Sequence, residues 1–509
     1  MFANVNIRYE DVHKGNNKKK VTMNWIITEN NKKINALDIP TISIDEIKSD
    51  VEKMKTRLIG FFGKQEFANV RLYVVMADDK VGKLYVTSTL FTPDVKSYES
   101  FTQKFPAFHI FEREFYEEFG IEPLNHPWLK PVRINQDKYP FFEMEGEDVH
   151  QVAVGPIHAG VIEPGHFRFM CQGEKVYDLE IMLGYQHRGV EELFIKNKGY
   201  NNRLAESVCG DSVIGYNMTY SQAMEALSDS AVSSKAQIIR RVALEMERIA
   251  IHIGDMGAIA GDIAYLMGAS IFGITRTLVI NTMLEISGSR FGRGLINVGG
   301  VNFDIDEAMS KKIIDMLDGV AKTVDRTTKI MLKKPTCISR MERTGVVSQE
   351  TAKSLGAVGM AARSSGVDLD SRFDFNDKWY TSLDVIKPFK ATGDVHSRFK
   401  LRYKEIKQSM KIIKALLNKL KEYKAEPIKI EPNAQLAPNS LVISITEGWR
   451  GEIVHFVLTG ANSEILRYKI KDPSFTNWYM LAMAVRNNGI SDFPVCNKSF
   501  NLSYCGNDL

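Results

Sequence analysis

The stretch ESVCGDSVIGYNMTY, residues 206–220, places a thiol, a carboxylate, a hydroxyl and a phenol within a few positions of one another. Cys209 is followed three residues later by Ser212, so the spacing is C-x-x-S. Two thiolates at this spacing grip a soft metal ion, and a hard serine hydroxyl does not replace one of them. Tyr216 stands one helical turn beyond Ser212. A phenol there can donate a hydrogen bond or a proton to a bound ligand. Three readings are open: a metal loop that has lost a ligand, an active site of another kind, and an ordinary helix entrance.

The rest of the sequence narrows the chemistry. The five cysteines (Cys171, Cys209, Cys337, Cys496 and Cys505) are scattered, and no two form C-x-x-C. That argues against a disulfide framework or a structural zinc site. It also argues against an iron–sulfur cluster held by this chain alone, which normally needs four thiolates. GSRFGRG, with Arg290 and Arg293, is glycine-spaced but lacks the Gly-Lys-Ser/Thr of a phosphate loop. No G-x-G-x-x-G follows a strand, so any link to NAD would run through partner subunits. A net charge of +4 on 509 residues gives no general attraction to nucleic acid. His252 lies alone on an apolar helix and reads as a satisfied core residue. His158, just after Pro156, reads as the brace of a β-turn, with a ligand contact as the alternative.

These groups must be positioned by a chain long enough for two or three domains. Residues 1–132 read as a small α/β module. TISIDEIKSDVEKMKTRLIGFF starts with helical spacing of Ile44, Ile47, Val51, Met54 and Leu58. NVRLYVVMADDKVGKLYVTSTLF reads as a hairpin around Asp78-Asp79-Lys80. Polar residues 133–150 read as a linker. From 151 to 509 the chain is mainly helical, with apolar stripes at Ile239, Val242, Met246, Ile249 and Ile253 and at Ile406, Met410, Ile413, Leu417 and Leu420. The segment from Leu441 onward alternates like a short β-meander. The fold class expected is α+β: a small N-terminal α/β module, then a large, mainly helical domain with short β-hairpins. The N-terminus shows no apolar leader. GDMGAIAGDIAYLMGASIFGI carries Asp255 and Asp262 and reads as a buried helix rather than a membrane span.

Several ordered blocks carry a family resemblance: GPIHAGVIEPGHFRF (155–169), LGYQHRGVEEL (183–193), the CGDS loop, LEMERIAIHIGDMG, GSRFGRGLINVGGV (288–301) and the tail from Lys471. In this order they resemble the large catalytic subunit of membrane-bound [NiFe] hydrogenases and its relative, the 49-kDa-type protein of respiratory complex I. FEREFYEEFGIEPLNHPWLKP (111–131) resembles the signature of the 30-kDa-type protein of the same complex. A fusion of the two resembles formate-hydrogenlyase-type large subunits.

The resemblance implies a [NiFe] site built from two C-x-x-C pairs. The early pair falls on Cys209 and Ser212. Laid without gaps on the hydrogenase ending, the tail matches at Asp492, Phe493, Pro494 and Ser499, and the expected cysteines fall on Ser503 and Gly506. A rival register puts Cys496 and Ser499 on the pair but breaks the Asp-Phe-Pro match. In either register the second thiolate of each pair is missing, so no nickel–iron centre is expected. Cys171, Cys337, Cys496 and Cys505 then read as buried small hydrophobes or isolated thiols. Against the complex I pattern, the quinone-headgroup tyrosine falls on Gly210 and the quinone-side histidine near Pro164. His166 and Arg168 belong to the hydrogenase-like form PGHFRF. Glu191, in R-G-x-E, resembles a hydrogenase proton gate. A buried carboxylate near Cys209 would serve as a relay, and a helix-surface glutamate is the ordinary alternative. Arg450 in GWRGE falls where the hydrogenase arginine borders the metal pocket. It would hold an anionic or carbonyl-bearing substrate, or form a structural salt bridge.

The function these features imply is a peripheral-arm oxidoreductase subunit of a complex I-related or hydrogenase-related membrane complex. Electrons would come from NADH or ferredoxin through a small iron–sulfur (20-kDa-like) partner to an acceptor, with quinone a candidate. Antiporter-like and quinone-site membrane subunits would translocate ions. The expected position is the cytoplasmic face of the membrane. The expected cofactors are none on this chain, with iron–sulfur clusters in partners. The expected cavity lies between the 155–169 hairpin and the 209–220 helix entrance, lined by Cys209, Asp211, Ser212, Tyr216, Glu191, His158, His166, Arg168 and Arg450. The alternatives are a structural coupling subunit without chemistry of its own and an active [NiFe] hydrogenase.

Overall fold

The computed structural model describes residues 24–134, 139–160, 162–383, 387–388 and 390–509. The N-terminal leader reading and part of the 133–150 linker lie outside the described residues. The fold is α+β.

The N-terminal sheet is antiparallel, in the order Ile26–Thr28, Lys83–Phe91, Asn69–Asp78, Arg57–Glu66. The expected hairpin is present: Asp78 pairs with Lys83 across its turn. The helix Ile44–Lys53 opens with a capping box in which Ser43 and Glu46 satisfy each other's backbone N–H groups. It stops at Lys53, so the helical spacing does not run on to Leu58, which lies in the strand Arg57–Glu66. Met54 is already extended, and the β-rich run beyond it pairs with Asn69–Asp78. The helix His109–Phe119 lies against the sheet. Phe61 of the sheet packs edge-on against Phe101, Phe108 and Phe115 at 5.7–5.8 Å.

The larger region is built on four long helices: Ser234–Asp262, Leu266–Ser287, Glu307–Met331 and Val395–Leu420. Every residue of the two stripes read from the sequence is buried. The segment 254–274 is two helices rather than one, broken at Ile263–Tyr265. Its second half is not a buried helix. Leu266, Met267, Ile274 and Leu278 are exposed, and Leu266–Ser287 is long and apolar enough to cross a membrane by length and composition alone. The C-terminal meander is Ser440–Glu447, Glu452–Thr459 and Ile465–Lys471, and its first two strands are buried throughout.

The N-terminal module is joined to this meander by backbone, rings and charge. Ile34–Asn35 adds a fourth strand to it, pairing with Ser440 and Leu441. Arg57 donates two hydrogen bonds each to Asp79 and Glu452, at 2.7–2.8 Å, and Lys471 also pairs with Glu452. Arg133, within the sequence-read linker, donates to Glu114 and to the Asn507 carbonyl. Gly60 lets the Phe456 ring lie directly on the strand; a Cβ there would be 2.5 Å from Cζ. Phe456 is buried. Gly60→Ala is therefore expected to destabilise the chain by about 1–3 kcal/mol through overpacking, read as a lower denaturant midpoint. An unchanged midpoint would show that the ring moves freely and that this seam is loosely packed.

Candidate functional site

The C-x-x-S loop is gripped from three directions. Helix Val213–Ser228 starts at Ser212, whose side chain makes no capping bond. Its first N–H groups are satisfied from another helix. The Glu247 carboxyl accepts from Ile214 N at 2.8 Å and Gly215 N at 3.3 Å. From the meander, Trp449 Nε1 donates to the Asp211 carbonyl at 2.9 Å. Arg450 makes a fork to the Asp211 carboxylate at 2.6 and 2.8 Å and donates through Nε to the Asn501 carbonyl at 2.6 Å. Its Nη1 also lies 3.5 Å from both Cys209 Sγ and Ser212 Oγ. The turn carrying Arg450 is pressed onto Gly359, where φ is +63° and a Cβ would lie 2.1 Å from the Arg450 carbonyl oxygen.

The tail closes the fourth side. Ser503 caps the last helix by accepting from Gly506 N at 2.9 Å. The same hydroxyl lies 3.1 Å from Cys209 Sγ and 3.6 Å from Cys505 Sγ. Cys209 Sγ donates to Asp211 Oδ1 at 3.0 Å. Tyr216 donates its hydroxyl to Asp472, which caps the helix Pro473–Val485. Gly506 backs onto the same carboxylate: a Cβ there would lie 2.4 Å from Asp472 Oδ2. The four positions Cys209, Ser212, Ser503 and Gly506 thus converge around Arg450, Asp211 and Asp472.

Charge is set by burial and by these partners. The hydrogen bond to Cys505 pushes the Cys209 thiol well up, helped by burial and Asp211, and the same bond holds Cys505 below the usual thiol range. Burial alone would raise Asp211, but the Arg450 guanidinium overrides it and holds the carboxyl down. Burial, then Asp472, pushes the Tyr216 phenol well up, so it is a donor rather than a phenolate. Burial also raises Asp472. Glu247 is pushed up to about 8, chiefly by burial with Asp211 adding to it.

The other sequence-picked residues do different things. Glu191 accepts from Ile470 N at 2.8 Å and pairs with Lys469 at 3.0 Å, so its polar contacts run to the meander's last strand. His158 Nε2 meets the Gly165 carbonyl at 2.8 Å and His166 Nδ1 the Gly155 carbonyl at 3.1 Å. The two rings brace the loop between the strands Val149–Val154 and His166–Gln172. Arg168 stacks on Phe141, 3.8 Å from its ring centre. In place of an open cavity beside the helix entrance there is a packed polar cluster: Cys209, Ser212, Tyr216, Arg450 and Ser503 are all buried. Its rim is Cys505, half-buried, whose thiol the nearby Glu163 charge pushes up against the causes that lower it.

Asp472, Glu247, Glu163 and Cys505 were missed by sequence reasoning. Asp472 had a signal, the Asp-Pro helix start. Cys505 is not an isolated thiol, because its sulfur lies on the Ser503 hydroxyl that also meets Cys209. Cys171, Cys337 and Cys496 are buried.

The profile of the respiratory-chain NADH dehydrogenase 49 Kd subunit matches residues 262–508, and that of the 30 Kd subunit matches residues 49–143. The membrane-bound hydrogenase subunit alpha of Pyrococcus furiosus is 30% identical over 361 residues, covering 68% of this chain and 84% of that one. The chain belongs to this complex I and membrane-bound hydrogenase subunit family. Within the family it is a fused 30 Kd/49 Kd-type chain. Formate hydrogenlyase subunit 5 of Escherichia coli is 26% identical over 86% of this chain and 81% of its own length. NADH-quinone oxidoreductase subunit 4 of Thermus thermophilus is 25% identical over 68% and 90%. Among solved structures, a chain of the membrane-bound sulfane sulfur reductase, an archaeal respiratory membrane complex, shares the fold. Its TM-score is 0.66 at 21% identity, covering 71% of this chain and 99% of that one. Family members are oxidoreductase subunits of respiratory membrane complexes.

Glu247 gives a test of the site's electrostatics. Between its ordinary value of 4.5 and about 8, the folded chain keeps a proton that the unfolded chain releases. This group's contribution to stability therefore falls as pH rises through that window and is level above it. The slope is on the order of 1 kcal/mol per pH unit. Glu247→Gln is expected to flatten the pH dependence of urea unfolding across that window, and an unchanged slope would contradict the raised value.

Proposed function

We propose that this chain is the peripheral-arm subunit of a complex I-related or energy-converting-hydrogenase-related membrane complex, on the cytoplasmic face. It receives electrons from a small iron–sulfur partner and passes them to an acceptor, of which a quinone is one candidate. Antiporter-like membrane subunits couple that step to ion translocation. The observation that carries this reading is the convergence of two loops 294 residues apart, joined at Cys209 and Ser503 by a 3.1 Å contact. A frame this specific is retained around a small set of polar groups: a guanidinium, two carboxylates, two thiols and a phenol. Arg450 supplies the cation that would meet an anionic or carbonyl oxygen, while Asp211 accepts the hydrogen bond of the Cys209 thiol and Tyr216 is committed to Asp472.

A nickel–iron centre does not fit these residues. Of the four ligand positions only Cys209 is a thiol, and Gly506 has no room for a side chain beside Asp472. The Arg450 cation, bound to Asp211 and 3.5 Å from Cys209 Sγ, already neutralises the site. No step is assigned to a metal on this chain.

The second reading, a coupling subunit without chemistry, draws support from the packing of the cluster. Arg450→Lys separates the two, because lysine keeps the charge but loses the fork. In the purified complex, acceptor reduction driven by reduced ferredoxin or NADH is expected to drop at least about tenfold, the cost of roughly 1.4 kcal/mol in the barrier. The small iron–sulfur subunit should still co-purify. Undiminished reduction in an assembled complex would favour the coupling reading.

A further inference from the structure

We propose that Cys209 and Cys505, one thiol from each of the two converging loops, form a reversible dithiol–disulfide couple that serves as the two-electron site of this chain. The proposal rests on the reading above for its electron donor.

Three observations carry it. First, the two sulfurs converge on one group. Both lie against one hydroxyl, Ser503 Oγ, at 3.1 and 3.6 Å. These residues are remote in sequence, and the tail is fixed there by bonds that do not involve sulfur. The Asp508 carboxylate accepts from Gly184 N and Gln186 N at 2.8 and 2.9 Å, and Arg188 N donates to the Leu509 carbonyl at 2.7 Å. Second, the two thiols are unequal in the way a working pair requires. Cys505 is half-buried at the rim and is held below the usual thiol range. Cys209 is 2% exposed and behind it. The accessible, more acidic thiol is the one that reacts outward, and the buried one resolves. Third, the charge has somewhere to go. Arg450 Nη1 is 3.5 Å from Cys209 Sγ and stabilises a thiolate there. Asp211 Oδ1 is 3.0 Å from the same sulfur and accepts its hydrogen bond.

The step balances without a metal. Oxidation removes one hydrogen from each thiol and forms one S–S bond. The two electrons and two protons pass to an acceptor of the quinone class, which becomes the hydroquinone. Reduction returns two electrons, one at a time, from the iron–sulfur partner, and two protons from solvent. The S–S bond breaks and both thiols are restored. Cys496 and Cys171 have no such neighbour among the described contacts. Burial pushes Cys496 up to about 12. They serve as internal controls.

The test uses the intact complex, purified anaerobically and equilibrated in dithiothreitol buffers of graded oxidised-to-reduced ratio. Samples are quenched in acid, unfolded, alkylated with a maleimide and mapped by peptide mass. Cys209 and Cys505 are expected to lose alkylation together as the ratio rises, with a cross-linked peptide joining them, and to regain it on reduction. In Cys505→Ser, Cys209 is expected to stay alkylatable throughout. Full alkylation of both thiols at every ratio would overturn the proposal, as would a Cys209 adduct with the reagent in place of the cross-link. A second arm supplies reduced ferredoxin instead of dithiothreitol. A disulfide that dithiothreitol opens and ferredoxin does not leaves the couple intact and overturns the electron-donor reading.

Discussion

The forked pair between Arg450 and Asp211 is the interaction on which the rest of the site depends. It joins a meander turn to the loop before Val213–Ser228, and through Nε it also fixes the tail at Asn501. Three segments remote from one another in sequence meet on one guanidinium. Removing one partner of a fully buried pair costs about 3–5 kcal/mol. The Asp211 side chain is 35% exposed, which lowers that cost, while Arg450 at 6% has no comparable access to water. The penalty therefore falls on the arginine, whose charge has Asp211 as its ion-pair partner.

Behind this pair lies a second layer of buried charge that holds the turn itself. Arg248 donates to the Gly448 and Glu447 carbonyls at 2.8 and 2.6 Å, just before Trp449 and Arg450. Glu447 in turn accepts from Arg363, which also binds Glu405, and Glu405 accepts from His252. His252 is thus a core residue satisfied on one side: Nε2 lies 2.7 Å from the Glu405 carboxylate, while buried Nδ1 has no partner among the described residues. Desolvation on this scale is expensive unless every partner is in place. The network makes the helix Ser234–Asp262 a rigid backing for the cluster, with Glu247 and Arg248 as adjacent contributors to its two sides.

What was legible in the sequence was local or repeated. The stripes of Ile239 to Ile253 and of Ile406 to Leu420, the hairpin at Asp78 and the alternation from Leu441 all come from periodicities that a single segment states by itself. The family frame was legible because several ordered blocks agree. What was not legible is long-range. Nothing local says that Ile34–Asn35 will complete a sheet beside Ser440–Glu447. Nor does anything local say that Glu247 will cap another helix, or that Cys505 and not only Ser503 will face Cys209. Glu191 shows the limit of transfer by pattern: the motif fixes its place on the helix start, but Lys469 and Ile470 decide what it binds. The exposed face of Leu266–Ser287 does not show in the sequence, because small apolar residues suit a buried helix and a covered surface equally well.

The central proposal is that the family's frame persists here around a polar, thiol-bearing cluster whose residues do not fit a nickel centre. Elemental analysis of the anaerobically purified complex tests it most directly. Iron from the partner's clusters is expected, with nickel far below one atom per copy of this chain. About one nickel per chain, lost in Cys209→Ser, would contradict it.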